Sequence, residues 1–154
     1  MKFADYVKPE NIKLQLEGRT KEEVIEELVE CLTESCCTDD ADTILDAVMA
    51  REREGSTGLE KGVAIPHAKS DAVSKLSIVI GISKEGIDFD ALDGKRSHLF
   101  FLMVAPTSES GPHVQAIAKI VKMIKIERFR ERLLKAKSGE EVLETISMVE
   151  NGEM

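Results

Sequence analysis

The chain has 154 residues, a length that fits one domain with its own buried core, and we expect a single domain over residues 1–154. Its formal net charge of −8 excludes an overall basic footprint for nucleic acid and gives little attraction to an anionic membrane. Three cysteines without metal-type spacing argue against a disulfide framework, and the absence of a signal-peptide pattern or membrane-length apolar run favours the cytoplasm without membrane insertion.

The first third of the sequence predicts one strand followed by two helices. Residues Asn11 to Leu16 alternate apolar and polar side chains, as in a half-buried strand. Thr20 and Glu23 have the spacing of a capping box, which predicts that a helix begins there. A second helix is predicted from Asp39 or Asp40 to Arg53 and ends before Gly55.

The remainder contains strand patterns and then helix patterns. Strands are predicted at Val63–Ile65, Leu76–Ile82 and Ser97–Ala105, and residues 55–62, 87–93 and 107–112 are predicted to be loops or turns. Three helices are predicted next, one from His113, one around Phe129 to Leu134, and one after the capping box of Ser138 and Glu141. We therefore expect an α/β fold in which one sheet has helices on both faces.

His67 is a candidate functional residue because of where it lies in this pattern. It follows Ile65 and Pro66, at the point where a strand is predicted to end and a loop to begin, and sites of α/β folds gather at such ends. Pro66 fixes the approach of the chain, and the small Ala68 leaves room for a partner. From spacing alone, an ordinary surface histidine is an equally good interpretation.

Other candidates surround His67 in the sequence. His113 lies at a predicted helix start, where N–H groups and the helix dipole favour an anion, although a capping or solvent-facing histidine is the simpler interpretation. Arg51 precedes the 55–62 loop, and its guanidinium fork suits phosphoryl oxygens, although an arginine at a helix end is usually a solvated charge. In that loop Ser56 and Thr57 add hydroxyls, and Gly58 exposes backbone N–H.

Alternative chemistries have weaker support. His98 lies within an apolar strand pattern and is predicted to be a partly buried strand residue whose ring is hydrogen-bonded. A zinc site would need His67, His113 and a third ligand such as Asp71, and no H-x-x-H or C-x-x-C pattern supplies one. The G-x-S-x-G pattern of hydrolases and the Walker and kinase motifs are absent, so we expect no metal and no nucleotide cofactor.

Two segments carry a resemblance to a known family. REREGSTG from Arg51 to Gly58 and GVAIPHAK from Gly62 to Lys69 resemble the active-site signature of the EIIA domain of the phosphoenolpyruvate-dependent sugar phosphotransferase system. The type is that of fructose and mannitol EIIA, which also includes the nitrogen-regulatory proteins. The similarity extends over nearly the whole chain, including residues 86–94 and His113 with its helix. It implies a type-2 EIIA phosphocarrier domain with a mixed, five-stranded sheet.

The resemblance also implies the roles of particular residues. His67 would accept a phosphoryl group from the phosphohistidine of HPr and pass it to a cysteine of an EIIB domain, so that the chain acts as a phosphotransferase in sugar uptake. Arg51 and His113 resemble the supporting residues of the site, with Ser56, Thr57 and Gly58 lending further support to the phosphoryl group. The alternative is a regulatory, nitrogen-type EIIA whose phosphorylation state controls a protein partner by binding.

Overall fold

The computed structural model of the chain describes residues 1–36, 38 and 40–154 and includes the side chains of these residues except that of Cys36. The predictions that concern the thiols of Cys36 and Cys37, and Asp39 as a helix start, lie outside the described residues. Among the described residues, no helix is long and apolar enough to cross a membrane.

The described residues form five strands and five helices, with short 3₁₀ turns at Phe3–Tyr6, Pro9–Asn11 and Thr107–Glu109. The strands are β1 (Ile12–Lys13), β2 (Val63–Ala64), β3 (His67–Lys69), β4 (Ser77–Ile87) and β5 (Ser97–Ala105). The helices are α1 (Lys21–Cys36), α2 (Ala41–Glu54), α3 (Ser110–Met123), α4 (Glu127–Lys135) and α5 (Gly139–Glu150).

The strands form one mixed sheet in the order β1-β4-β5-β2, with β3 also paired to β5. β4 and β5 are antiparallel, whereas β1, β2 and β3 each run parallel to their neighbour. The predicted α/β fold, with a mixed five-stranded sheet between helices, is confirmed.

Both faces of the sheet are covered, which explains why β5 is apolar at nearly every position. Phe100, Leu102 and Val104 pack in a core with residues of α1 and α2. Phe101 and Met103 point the other way, into a core with residues of α3, α4 and α5. The two cores therefore lie on opposite faces of one sheet, and each face has its own layer of helices.

β2 and β3 form one edge strand that is interrupted at a single place. Val63 pairs with Leu99 and His67 with Met103, so the register is the same on both sides of the interruption. Pro66 lies between the two strands, and its carbonyl still accepts a 3.0 Å hydrogen bond from the N–H of Met103. Proline is tolerated here because residues 65 and 66 belong to neither strand, so its missing N–H falls in the interruption and not within a paired stretch.

Several predicted boundaries differ from the structure. His67 does not begin a loop but is the first residue of β3, because the chain resumes pairing with β5 directly after Pro66. The predicted strand from Asn11 to Leu16 is regular only at Ile12–Lys13, although the Leu16 N–H also donates to the carbonyl of Ile82 in β4 over 2.9 Å. Helix α3 begins at Ser110, within the predicted 107–112 loop, which places His113 inside the first turn rather than at the helix start. Pro112 is compatible with this because backbone N–H groups of a first turn have no partner within the helix.

The capping boxes are confirmed as helix starts. The N–H of Glu23, in the first turn of α1, donates over 3.2 Å to the hydroxyl of Thr20, the residue before the helix. The N–H of Glu141 donates to the Ser138 hydroxyl, also over 3.2 Å, at the start of α5. In each case the hydroxyl satisfies one of the backbone donors that a helix leaves unpaired in its first turn.

Candidate functional site

The structure brings two of the three histidines together. His67 is in β3 at the sheet edge and His113 is in α3, and their ring centroids lie 5.6 Å apart with the planes inclined by 58°. Side chains of a strand alternate between faces. Ala68 packs into the core below α1 and α2, whereas His67 and Lys69 point toward α3. The pairing of the rings therefore follows from the register of β3.

A local hydrogen bond determines which nitrogen of His67 is available. Nδ1 lies 2.8 Å from the carbonyl oxygen of Ile65. A carbonyl only accepts hydrogen bonds, so in the neutral ring Nδ1 carries the proton and Nε2 carries the lone pair. Because Ile65 is two residues earlier in the same edge strand, the backbone itself selects the tautomer. His67 is half-buried, so part of its ring is open to solvent.

His113 is more deeply buried than His67. Its side chain is only 4% exposed, and burial, followed by the charges of His67 and Lys69, lowers its pKa from 6.5 to about 4. The ring is therefore neutral near pH 7. Its Nδ1 is buried and has no hydrogen-bond partner among the residues that the structure describes. A buried lone pair is tolerated better than a buried unpaired N–H, which favours a proton on Nε2 and makes that nitrogen a hydrogen-bond donor.

The 55–62 loop lies along the outside of the edge strand. The carbonyl of Thr57 accepts a 3.0 Å hydrogen bond from the N–H of Ile65, and the N–H of Leu59 donates to the carbonyl of Val63 over 2.8 Å. Gly58 and Ala64 are bridged in antiparallel fashion between these two bonds. The loop thus extends the sheet locally, and Thr57, near its start, lies beside Ile65 just before His67.

Three predicted support residues of this loop are engaged in bonds and contacts of their own. The Ser56 hydroxyl donates to the carbonyl of Phe89 over 2.6 Å. The hydroxyl and N–H of Thr57 both donate to the carboxylate of Glu52. Gly58 is required by close approach, because a Cβ there would lie 2.9 Å from the Cα of Ala91. These contacts fix the loop in place beside the histidines.

Arg51 lies in the last turn of α2, the helix that packs against β3. Its Nη1 donates a 2.8 Å hydrogen bond to the carbonyl of Gly55, so one of the five guanidinium donors holds the start of the loop. The structure thus connects Arg51 to the histidines through the 55–62 loop. The remaining donors of the fork are suited to an anion that arrives at the rim of the site.

Glu52 was not identified from the sequence, and it is the most buried charged residue of the region, with 7% of its surface exposed. Its carboxylate pairs with Nζ of Lys21, the first residue of α1, over 2.9 Å. A signal was present in the sequence, because Glu52 continues the buried stripe of Ile44 and Val48 at intervals of four residues. A carboxylate on the inner stripe of a helix needs a buried partner.

The remaining candidates are accounted for by other contacts. Nδ1 of His98 lies 2.9 Å from the carbonyl of Ser83, so the prediction of a hydrogen-bonded strand histidine is confirmed. The Asp71 carboxylate accepts from the N–H of Thr107 over 2.9 Å. Over the described part of the chain, no group of three histidine, cysteine, aspartate or glutamate side chains is placed to hold a metal ion.

Comparison with known proteins gives a consistent result over most of the chain. Residues 5–149 match the family model of the phosphoenolpyruvate-dependent sugar phosphotransferase system, EIIA 2. The chain is 39% identical over 140 residues to a fructose-specific EIIA component of Haloferax volcanii, covering 91% of each protein. It is 34% identical over 147 residues to a fructose-specific EIIABC component of Bacillus subtilis, of which it spans only 23%.

Solved structures show the same fold. The nitrogen regulatory protein IIA-Ntr of Neisseria meningitidis aligns with a TM-score of 0.86 at 31% identity, covering 93% of this chain and 97% of that one. The mannitol enzyme IIA of Escherichia coli, solved in complex with phosphorylated enzyme IIB, aligns with a TM-score of 0.79 at 28% identity, covering 92% and 96%.

Proposed function

We propose that this chain, which belongs to the EIIA 2 family of the phosphoenolpyruvate-dependent sugar phosphotransferase system, carries its phosphoryl group on Nε2 of His67. The observation that supports this choice most directly is the 2.8 Å bond between Nδ1 and the Ile65 carbonyl. It leaves Nε2 as the unprotonated nitrogen of a half-buried ring, beside a second histidine that is neutral and buried.

In the first step the lone pair of Nε2 attacks the phosphorus of the phosphohistidine of HPr. A new N–P bond forms at His67 while the N–P bond of HPr breaks, and its electron pair returns to the imidazole of HPr. In the second step the thiolate of an EIIB cysteine attacks the same phosphorus, an S–P bond forms, and Nε2 recovers its lone pair. Each step exchanges one nucleophile for another at phosphorus, as expected for a covalent carrier.

The neighbouring residues would lower the energy of both steps by donating to the phosphoryl oxygens. His113 has a proton on Nε2 and no positive charge, so it can donate without fixing the anion strongly. Arg51 would supply charge from the rim of the site with the donors that Gly55 leaves unused. Ser56, Thr57 and Gly58 would support the phosphoryl site by holding the 55–62 loop against the edge strand, next to the residues that lead into His67.

The partners of the chain follow from the same proposal. HPr is the donor, and an EIIB domain or protein is the acceptor, since the aligned mannitol enzyme IIA was solved with phosphorylated enzyme IIB. Acting in this relay, the chain is a phosphotransferase of the cytoplasm, where its partners work. Two relatives are fructose-specific, which supports a role in sugar uptake.

A regulatory output is the second candidate, because the nitrogen regulatory protein of Neisseria meningitidis aligns with a TM-score of 0.86. A nitrogen regulatory protein of Pseudomonas aeruginosa is also 33% identical over 137 residues. In this version His67 is phosphorylated in the same way, and the phosphorylated or unphosphorylated surface binds a protein partner. The chemistry of the site is unchanged, and only the use of the phosphoryl group differs.

In vitro transfer separates these outcomes. The chain is incubated with phosphoenolpyruvate, enzyme I and HPr, and the phosphorylated product is then offered to purified EIIB proteins. We expect acid-labile label on His67 and its loss to an EIIB cysteine. Label on His67 that no EIIB accepts would favour the regulatory output. No label on the folded chain would contradict the proposed function.

A further inference from the structure

Glu52 and Lys21 form an ion pair between two helices, close to the site but behind it. The Glu52 side chain is 3% exposed and that of Lys21 13%, and their charged atoms are 2.9 Å apart. Lys21 also lies 3.5 Å from the exposed carboxylate of Asp90 and 4.8 Å from the ring centroid of Phe89. The buried charge of Glu52 is therefore balanced by that of Lys21. The Lys21 ammonium group is also held by the Asp90 carboxylate and by the face of the Phe89 ring.

Glu52 holds Thr57 by two donors at once. One carboxylate oxygen accepts from the Thr57 N–H over 3.2 Å, and the other accepts from the Thr57 hydroxyl. A carboxylate that accepts from a backbone N–H and the adjacent hydroxyl fixes both the position and the orientation of that residue. Because Glu52 is in α2, this arrangement fastens the 55–62 loop to a helix rather than leaving its position to the loop itself.

From Thr57 the connection continues to the reacting ring. The Thr57 carbonyl accepts from the N–H of Ile65 over 3.0 Å, and the Ile65 carbonyl lies 2.8 Å from Nδ1 of His67. Ile65 and Pro66 occupy the interruption between β2 and β3, where the edge strand does not pair residue by residue with β5. Thr57 therefore supports the edge strand within this interruption, where pairing with β5 is incomplete.

We propose that Glu52, held by Lys21, is a positioning residue for His67: through Thr57 it fixes the Ile65 carbonyl and so keeps the proton of His67 on Nδ1 and the lone pair on Nε2. The proposal rests on the proposed function, since it concerns the nucleophile of that reaction. Glu52 does not touch the phosphoryl group. Its contribution is to preserve the tautomer and the orientation of the His67 ring. A hydrogen bond to one ring nitrogen of a histidine has this effect on the other nitrogen.

The first test measures the tautomer directly, without any phosphoryl donor. Glu52→Gln keeps the shape of the side chain but removes the charge and replaces one acceptor oxygen by a donor. In ¹⁵N NMR spectra at neutral pH we expect Nε2 of His67 to shift toward the protonated position as the second tautomer becomes populated. His98 is the internal control, because its Nδ1 faces the Ser83 carbonyl at 2.9 Å, and its signals should not change.

The second test is kinetic and uses Thr57→Val. This change replaces the hydroxyl that donates a hydrogen bond to Glu52 by a methyl group of similar size. We expect the first-order rate of transfer from phospho-HPr to fall about tenfold with KM little changed, since the ring is misdirected but the docking surface is intact. The matched control is Thr145→Val. Thr145 is equally buried, and its hydroxyl donates to the Glu141 carbonyl over 2.9 Å within α5, away from Glu52 and Thr57.

The outcomes distinguish this proposal from the proposed function. If both Glu52→Gln and Thr57→Val transfer phosphate at the parent rate with unchanged His67 nitrogen shifts, the positioning role is wrong while His67 remains the carrier. The role is also overturned if Thr145→Val slows transfer as much as Thr57→Val, because lost stability would then explain both. If instead the parent chain itself takes no label, the proposed function fails, yet the tautomer measurement still decides whether Glu52 orients the ring.

Discussion

Lys69 Nζ donates a 3.0 Å hydrogen bond to the Ser110 hydroxyl, which joins β3 to the first residue of α3. Ser110 in turn donates to the Thr107 carbonyl over 3.0 Å, so the bond is anchored on the α3 side. His67 and His113 are carried by these same two elements. Their separation is therefore set by the chain before a partner arrives, and the charge of Lys69 lies close to both rings.

Replacing Lys69 should make His113 easier to protonate. Burial is the largest cause of the low pKa of His113, and the charge of Lys69 adds to it, so Lys69→Met should raise that pKa above about 4 while leaving it below 6.5. The measurement is an NMR titration of the His113 ring. Lys84→Met serves as the control and should leave the titration unchanged, because Lys84 is exposed and lies near the C-terminal end of β4.

His67→Gln should abolish labelling by phosphoenolpyruvate, enzyme I and HPr, because glutamine has no nucleophilic ring nitrogen. Label is measured by mass spectrometry under conditions that preserve phosphohistidine. His98→Gln is the comparison variant and should keep the parent level of label, since His98 is bonded to Ser83 on another part of the sheet. Full labelling of the His67 variant would move the carrier to a different residue.

His113→Asn should still accept a phosphoryl group but pass it on to EIIB about 100-fold more slowly, the size of effect seen when one donor to a developing charge is lost. Single-turnover transfer from the purified phosphorylated chain gives this rate. Val114→Ala changes the adjacent, 62% exposed side chain and should have a much smaller effect. Equal rates for His113→Asn and the parent chain would remove His113 from the mechanism.

Arg51→Lys should slow transfer about tenfold, because an ammonium group cannot bond Gly55 and a phosphoryl oxygen with one planar fork. Arg53→Lys is the matched change, two residues further along α2 on an exposed side chain, and we expect it to be neutral. Steady-state kinetics with phospho-HPr would detect the difference. Indistinguishable values for the two variants would limit Arg51 to a structural role at the helix end.

Stability should depend on pH in a window set by His113. Its pKa is about 4 in the folded chain and 6.5 ordinarily, so between these values the unfolded chain binds more protons. The free energy of unfolding should therefore fall as pH is lowered from about 6.5 to about 4, by up to about 3 kcal/mol from this residue. Urea unfolding of the parent chain and of His113→Gln checks this, because the variant should lack that component. Parallel losses in both chains would contradict it.

The sequence predicted those parts of the fold that have strong local patterns. β5 is apolar because both its faces are buried, and the capping hydroxyls of Thr20 and Ser138 mark helix starts that depend on nearby residues only. β3 was missed because three residues, His67–Lys69, are too few for an alternating pattern. What makes them a strand is their pairing with β5, which is distant in the chain.

The candidate site was predictable from its motif but not from its physical chemistry. Spacing alone left His67 no better than a surface histidine, and its role as acceptor remains a prediction. The low pKa of His113 depends on burial under neighbouring elements, which the position after Gly111 and Pro112 does not reveal. Glu52 was passed over because charged residues are usually exposed, and its partner Lys21 is on a different helix.

The two helical layers of the sheet meet at this site, since His113 comes from the α3 side and Glu52 from the α2 side. Because of this arrangement, phosphoryl transfer should depend on both helical layers being intact. Partial opening of either layer, on a scale too small to change the circular dichroism of the sheet, would separate the parts that His67 needs. Phosphoryl transfer should therefore fail before global unfolding is detectable, whether the molecule is weakened by heat, by denaturant or by a distant substitution in either core.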